Sequence, residues 1–461
     1  MLTASSLPPN TNGVKLHYKI ALGFGFFTLF FTGQGVHILA VPYYQMTLGV
    51  DPFLLSLVMT LPMLFGSAVA PLAGHLSDNL KSRWGRRSPF IFTAALVLGL
   101  CYGLLWMVPP HWPEATQLLY FAAFGTLFYL ATAFYTVPLN GLAYELSDNA
   151  GERTQAIGFA TYFLKSGSLL YQWVFPLAQL AVFGSVYLGI RYIGWGMGVV
   201  VFALCGMLPA LIIRENVSAS QYLSTRVSFI DSLRSVIDNP SMKLLLLLVL
   251  LQMGGSAFAA TLDYYLLVYY VHAGNIAEGA IWKATLSTSY ALVSIACVPL
   301  VLKLSTVQGK LGALQVIYLI NACGGLAKWF IFVPDARWII ITDALLCGAV
   351  WTAMVILIPS MVSDLSHQDQ QAGKGAHAGM YASIYNWVLS ISSVLALMFS
   401  GLSLNLLGFN AHAGAAQAHE SLQYMRIILA GGTVLFSLLP LWILYYYRQH
   451  KPGVLAALQQ R

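Results

Sequence analysis

Asp263, Lys328, Asp343 and Lys165 are ionisable residues that stand inside long apolar runs of the chain. Charge in such a run costs roughly 2.5–3.5 kcal/mol on insertion scales, so each group must be paired, protonated or in touch with a polar ligand. Asp263 lies beside Tyr264 and Tyr265 with no base in the same run, a setting that suits the uptake and release of a proton. A buried structural ion pair is the competing reading. Lys328 precedes Pro334 by six residues and Asp343 follows Arg337 by six, so consecutive antiparallel runs would bring the two to equal depth. A salt bridge across that hairpin is expected, with a part in coupling as the alternative. Lys165 falls about nine residues into its run, roughly 14 Å deep at 1.5 Å per residue. It could donate to the hydroxyls or carboxylate of a solute, or pair with an acid across a cavity. The plainer reading has it snorkelling or satisfied by backbone carbonyls.

Uncharged polar and aromatic residues share these runs: Gln34, His37, Tyr43 and Tyr44 in the first, Asn140 in the fourth, Gln172 in the fifth, Tyr264 in the seventh, Trp351 in the tenth, Asn386 and Trp387 in the eleventh. Amide donors and acceptors beside a flat aromatic face suit a sugar ring, although each residue alone is more often helix-packing glue. His37 could carry a proton. The sequence has no Gly-rich phosphate loop, no Cys/His metal spacing and no acyl-transfer motif. An enzyme, a cofactor and a metal centre are therefore not expected, and any work must draw on an ion gradient or the solute's own gradient. Cys101, Cys205, Cys297, Cys323 and Cys347 all lie in apolar runs, where a thiol acts as a small hydrophobe, so no disulfide framework is expected.

The elements that must hold these residues are membrane helices. Hydrophobic residues make up 58% of the 461 and charged ones 8%, against roughly 25% charged in a soluble domain. Spans are predicted near 20–44, 53–76, 89–108, 116–144, 156–183 and 193–213, then near 243–271, 282–302, 311–333, 338–362, 380–406 and 425–447. Barrel strands need only about ten alternating residues and do not fit runs this long. The net charge of +7 is spread over short loops, which is no nucleic-acid signature. With the N-terminus inside, seventeen Lys and Arg face the cytoplasm, and only Arg191, Lys283, Arg337 and Arg426 face out. Both termini are expected to be cytoplasmic. Residues 1–19 show no cleavable-signal pattern.

Residues 1–213 and 243–461 are thus expected to form two six-helix bundles, joined by a cytoplasmic linker, 214–242. Within the linker Phe229, Ile230, Leu233, Val236 and Ile237 oppose Asp231, Arg234 and Asp238 at helical spacing, as in a helix lying on the membrane surface. The halves carry a trace of repetition. GHLSDNLKSRWGRRSPF (Gly74–Phe90) and PLVLKLSTVQGKLGAL (Pro299–Leu314) each show Pro or Gly, then Leu-Ser, then Gly before a base. In the first copy Asp78 can pair with Arg86 or Arg87 while Gly85 makes the turn, a charge cluster able to latch one conformation. Positive charge for topology alone is the plainer reading.

This loop resembles the signature of the glycoside–pentoside–hexuronide:cation symporters of the major facilitator superfamily, above all their sucrose-transporter-like branch. QGVHILAVPYYQMTLGV (Gln34–Val50), VPLNGLAYELSDNAGERTQAIGF (Val137–Phe159, with Glu145 and Arg153) and IPSMVSDLSHQDQQAGKGAHAGMY (Ile358–Tyr381) resemble the same family in the same order. The resemblance implies the major facilitator fold, an all-α membrane protein of twelve transmembrane helices in two pseudo-symmetric bundles. It also implies a sugar or glycoside carried with a cation. The chain departs from the melibiose-permease pattern, whose two Na⁺-binding aspartates on helix two fall at Gly66 and Ala70. The lysine of helix eleven falls at Ser390, and the loop Arg and Glu at Gly375 and Ala378. H⁺ is therefore the expected coupling ion. The function expected is a proton-coupled symporter of a disaccharide such as sucrose or maltose, monomeric, in the plasma (bacterial inner) membrane. Another cargo (lipid-like or an anionic glycoside), or a non-transporting sensor or assembly factor on the same fold, are the alternatives.

Overall fold

The computed structural model describes residues 14–80, 82–146, 150–215, 238–334, 338–371, 378–410, 413 and 416–459, and among them there is helix and no strand. In the first half the long helices are α1 (Leu16–Ala40), α2 (Pro52–Asn79), α3 (Ser88–Leu105), α4 (Glu114–Tyr144), α5 (Ala150–Leu170) and α6 (Val186–Met197), the last continuing to Ile212. In the second they are α7 (Pro240–Tyr265), α8 (Ile276–Ala296), α9 (Val298–Ile331), α10 (Ile341–Gln371), α11 (Ala378–Leu406) and α12 (His419–His450).

Among the described residues, ten helices are long and apolar enough to cross a membrane. α5 and α8, both expected to span, are not among the ten. Each is rich in Ser and Thr and carries charge, Glu152, Arg153 and Lys165 in α5 and Glu278 and Lys283 in α8, which lowers its hydropathy. The linker segment Phe229–Ile237 lies outside the described residues.

Two compact units result. One is built from the chain up to Leu39 and from Leu61 to Tyr222, the other from Ala40–Thr60 and the chain from Leu223 onward. Within each, the same partners recur six helices apart. α3 packs on α4 and α6, as α9 packs on α10 and α12. α2 approaches α4 so closely that a Cβ at Gly66 would sit 2.6 Å from the Tyr129 carbonyl oxygen, and α8 meets α10 where Gly348 faces Val293. α5 meets α1 through Phe163 on Gly23 and Gly167 on Phe30, while α7 packs on α11. Small residues do this because lipid gives helices no hydrophobic reason to associate, so close packing must supply the attraction. α1 and α7 also both end in π-helical turns, Val41–Gln45 and Leu266–Val271. The repeat read from two loops is a repeat of the packing itself.

Each unit has its own aromatic or aliphatic core. In the first, Tyr102, Phe128 and Phe202 pack with ring centroids 4.7–5.9 Å apart, and the Tyr102 hydroxyl donates to the Gly35 carbonyl at 2.9 Å. In the second, Leu244, Leu248, Ile317, Met354 and Met361 bury themselves at the start of α7 and along α9 and α10.

Candidate functional site

Four consecutive helices of the second unit bring their charges together. Asp263 on α7 is 4% exposed and ion-paired with Lys283 on α8, whose ammonium also donates to the Ala260 carbonyl at 2.9 Å. Lys328 on α9 holds Asp343 on α10 at 2.6 Å, and Asp343 is fully buried. The Tyr290 hydroxyl, from α8, donates to the same Asp343 oxygen at 2.8 Å, and the Cys347 thiol approaches the other at 3.6 Å. The two pairs act on each other, since the charges of Lys328 and Asp343 both reach Asp263. The hairpin pairing expected from depth is therefore present.

Lys283 corrects the sequence reading, which set it among the outward-facing loop bases. α8 begins at Ile276, capped by Asn275 accepting from the Glu278 amide at 3.2 Å, so Lys283 lies two turns inside and buried. Arg426 likewise belongs to α12, 7% exposed between the rings of Trp329 and Tyr270 at 4.2 and 4.8 Å. Both escaped notice because a base near the edge of an apolar run reads as loop.

The residues considered for a solute are placed differently. Lys165, His37, Asn140, Gln172, Tyr264 and Trp351 are half-buried; Gln34, Asn386 and Trp387 are exposed. No hydrogen bond or ion pair occupies the side chains of these nine among the described residues, and none links them to one another. Tyr44 is fully buried edge-on to Tyr43.

Ionic ties close one end of each unit. The Arg87 guanidinium binds Glu145 at 2.8 Å, Arg86 binds the same carboxylate, and Gly141 leaves the space that Arg87 occupies. Gly85 turns the chain at φ +96°. Glu215, an acid the sequence reading missed, caps α3. Its carboxylate accepts from the amides of Arg86, Arg87 and Ser88 at 2.8, 3.0 and 2.7 Å and from the Ser88 hydroxyl at 2.8 Å. An anion is favoured there by the unpaired amides and the positive end of the helix dipole. An acid directly after the sixth apolar run was the available signal. Asp78 lies in the last turn of α2 and Arg153 in the first of α5, and both side chains lie outside those described. In the second unit Gly309 turns at φ +77° and Lys310 pairs with Asp364 near the end of α10. The worn copy of the loop keeps its glycine and base, and draws its acid from the helix equivalent to α4.

Helices of this length and apolarity, with paired charges buried between them, mark an integral membrane protein. Residues 21–450 match the model of the MFS/sugar transport protein family, and the chain belongs to that family. That family is one of transport proteins, not of enzymes. An uncharacterized symporter of Synechocystis sp. is 28% identical over 163 residues, which are 34% of this chain and 30% of that relative. The chain thus aligns with less than a third of the relative's length. The fold is that of a bacterial homolog to the human lysosomal transporter Spinster (TM-score 0.67, 18% identity, 96% of this chain and 99% of that one). The nucleoside transporter NupG shares it too (TM-score 0.65, 13% identity, 94% and 99%).

Proposed function

We propose that this protein is a proton-coupled symporter of a sugar or glycoside, working by alternating access as a monomer with both termini on the cytoplasmic side of the plasma (bacterial inner) membrane. The observation that carries this reading is the buried Asp263–Lys283 pair beside Lys328, Asp343 and Tyr290. A buried carboxylate held by an ammonium takes a proton when the pair parts. Proton binding is thereby tied to a rearrangement of α7 and α8, which is what coupling requires. Sodium finds no carboxylate at Gly66 or Ala70, the α2 positions where the resembled pattern would hold it. A side chain at Gly66 would strike the Tyr129 carbonyl, and Ala70 offers no oxygen.

His37, Asn140, Lys165, Gln172, Tyr264 and Trp351 supply donors, acceptors and flat faces that no side-chain hydrogen bond or ion pair engages among the described residues, with Gln34, Tyr44, Asn386 and Trp387 as further candidates. The ties of Arg86 and Arg87 to Glu145, together with Asp78, Gly85 and Arg153, act as the latch that slows interconversion of the two states. Lys165 favours a second reading of the cargo, a glycoside bearing a carboxylate, because no acid pairs with it among the described residues. Counterflow of a labelled panel of neutral disaccharides and one uronic-acid glycoside in proteoliposomes tests the cargo. Saturable exchange of a neutral disaccharide supports the first reading, exchange of the acidic one alone supports the second, and no exchange of either rejects both.

A further inference from the structure

Residues 40–60 interrupt the first unit in sequence and yet pack within the second. The chain leaves α1 through Pro42 and the π turn Val41–Gln45. The Tyr265 hydroxyl then donates to Gln45 Oε1, and Asn405 Nδ2 donates to Asp51 Oδ2 at 2.7 Å. α2 begins against α11 with almost no space to spare, since a Cβ at Gly401 would lie 2.7 Å from the Pro52 carbonyl and 2.6 Å from Ser56 Oγ.

Beneath this segment is a cavity of about 10 Å³, room for one water. Gln45 and Ser400 line it, 2% and 1% exposed. Neither the Gln45 amide nitrogen nor the Ser400 hydroxyl has a hydrogen-bond partner among the described residues. The other hydroxyls on the wall are satisfied: Ser56 donates to the Phe53 carbonyl at 2.7 Å and Thr261 to that of Ala257 at 3.1 Å. The rest of the lining is apolar apart from the Tyr265 phenol, and it holds no charged group. Buried donors left unmatched are costly, so both point to a ligand. An amide N–H needs a lone pair and a hydroxyl can give or take, so a neutral –OH, as in water or a sugar, satisfies both at once. Ions have no counter-charge there.

We infer that Gln45 Nε2 and Ser400 Oγ form a hydroxyl-binding site that holds one water while residues 40–60 are seated and takes a sugar hydroxyl when they lift. The inference rests on the sugar-transport reading for its second half only. On the orientation proposed above, α1 leads outward to Gln45, so the opened site meets solute arriving from outside before the deeper polar residues do.

Two measurements separate the halves of this inference. Radiolytic hydroxyl labelling marks side chains beside bound water. Met59 and Tyr265 line the cavity, each 1% exposed, and should be labelled in the wild type and lose that label in Ser400→Val. Unlabelled wild-type Met59 and Tyr265 would mean a dry cavity and overturn the site. In oriented proteoliposomes, Gln45→Ala and Ser400→Ala should raise the KM for influx about fivefold to tenfold, the loss of one neutral hydrogen bond. The KM for efflux should stay unchanged while the efflux Vmax falls in step, as reversibility requires, and Ser400→Thr should restore influx. An influx KM that does not move, or one that moves equally with the efflux KM, leaves a structural water and overturns the sugar half. A wild type that carries no sugar in either direction rejects the transport reading, and the labelling alone then decides the cavity.

Discussion

Asp263 and Lys283 stand twenty residues apart and meet across two antiparallel helices, so neither apolar run shows its partner. Lys328 and Asp343 were easier to match, because a short hairpin fixes their relative depth from a count of residues on each side. A partner that depends on where a helix starts, as Lys283 depends on the Asn275 cap, is not legible from hydropathy alone. The pair has a consequence that separates coupling from mere support. Asp263→Asn mimics the protonated carboxyl, so sugar exchange should persist at near the wild-type rate while accumulation against a gradient is lost. Lys283→Ala should do more harm to the fold, since it leaves a buried carboxylate alone at a cost of about 3–5 kcal/mol. The double variant Asp263→Asn/Lys283→Gln should recover the melting temperature without recovering accumulation. Melting and flux measured on the same purified proteins check this. Full accumulation by the double variant would leave the pair a structural feature only.

Helices and loops carry the next level. The repeat in the sequence amounted to a glycine and a base in each of two loops, and Gly85 and Gly309 do both adopt the left-handed backbone that glycine alone takes easily. Their acids were less visible, because Glu145 and Asp364 come from α4 and α10 and not from the loops. Glu215 was invisible for the same reason, since its role is set by where the end of α6 meets the start of α3. Asp78→Asn should leave folding intact and slow transport, because only the exchange between states depends on the latch. Transport by that variant at the wild-type rate would reduce the loop to a topology signal. Gly141→Val places a side chain where the Arg87 guanidinium lies. It should therefore break the tie to Glu145 and alter the transport rate in the same direction as Arg87→Met. Initial rates of uptake by the two variants, compared side by side, decide it; opposite effects would uncouple Gly141 from the latch.

For the molecule as a whole, composition alone placed the chain in a membrane, and the family match agrees. The assignment of residues 40–60 to the second unit was not legible, because it depends on contacts such as Asn405 with Asp51 that span most of the chain. The proposed orientation rests on seventeen bases against four, a balance that sharpens with Lys283 and Arg426 buried in helices. A cysteine at Ser82 should accordingly react with an impermeant thiol reagent only from the cytoplasmic face, and labelling of intact cells from outside would reverse the topology. On the proposed function, a proton gradient drives a sugar across. The direct measurement is accumulation of a labelled sugar in proteoliposomes under an imposed pH gradient, then under a Na⁺ gradient at clamped pH and membrane potential. Accumulation driven by the pH gradient and abolished by a protonophore is the predicted result. Accumulation driven by Na⁺ alone, with no response to the pH gradient, would contradict it.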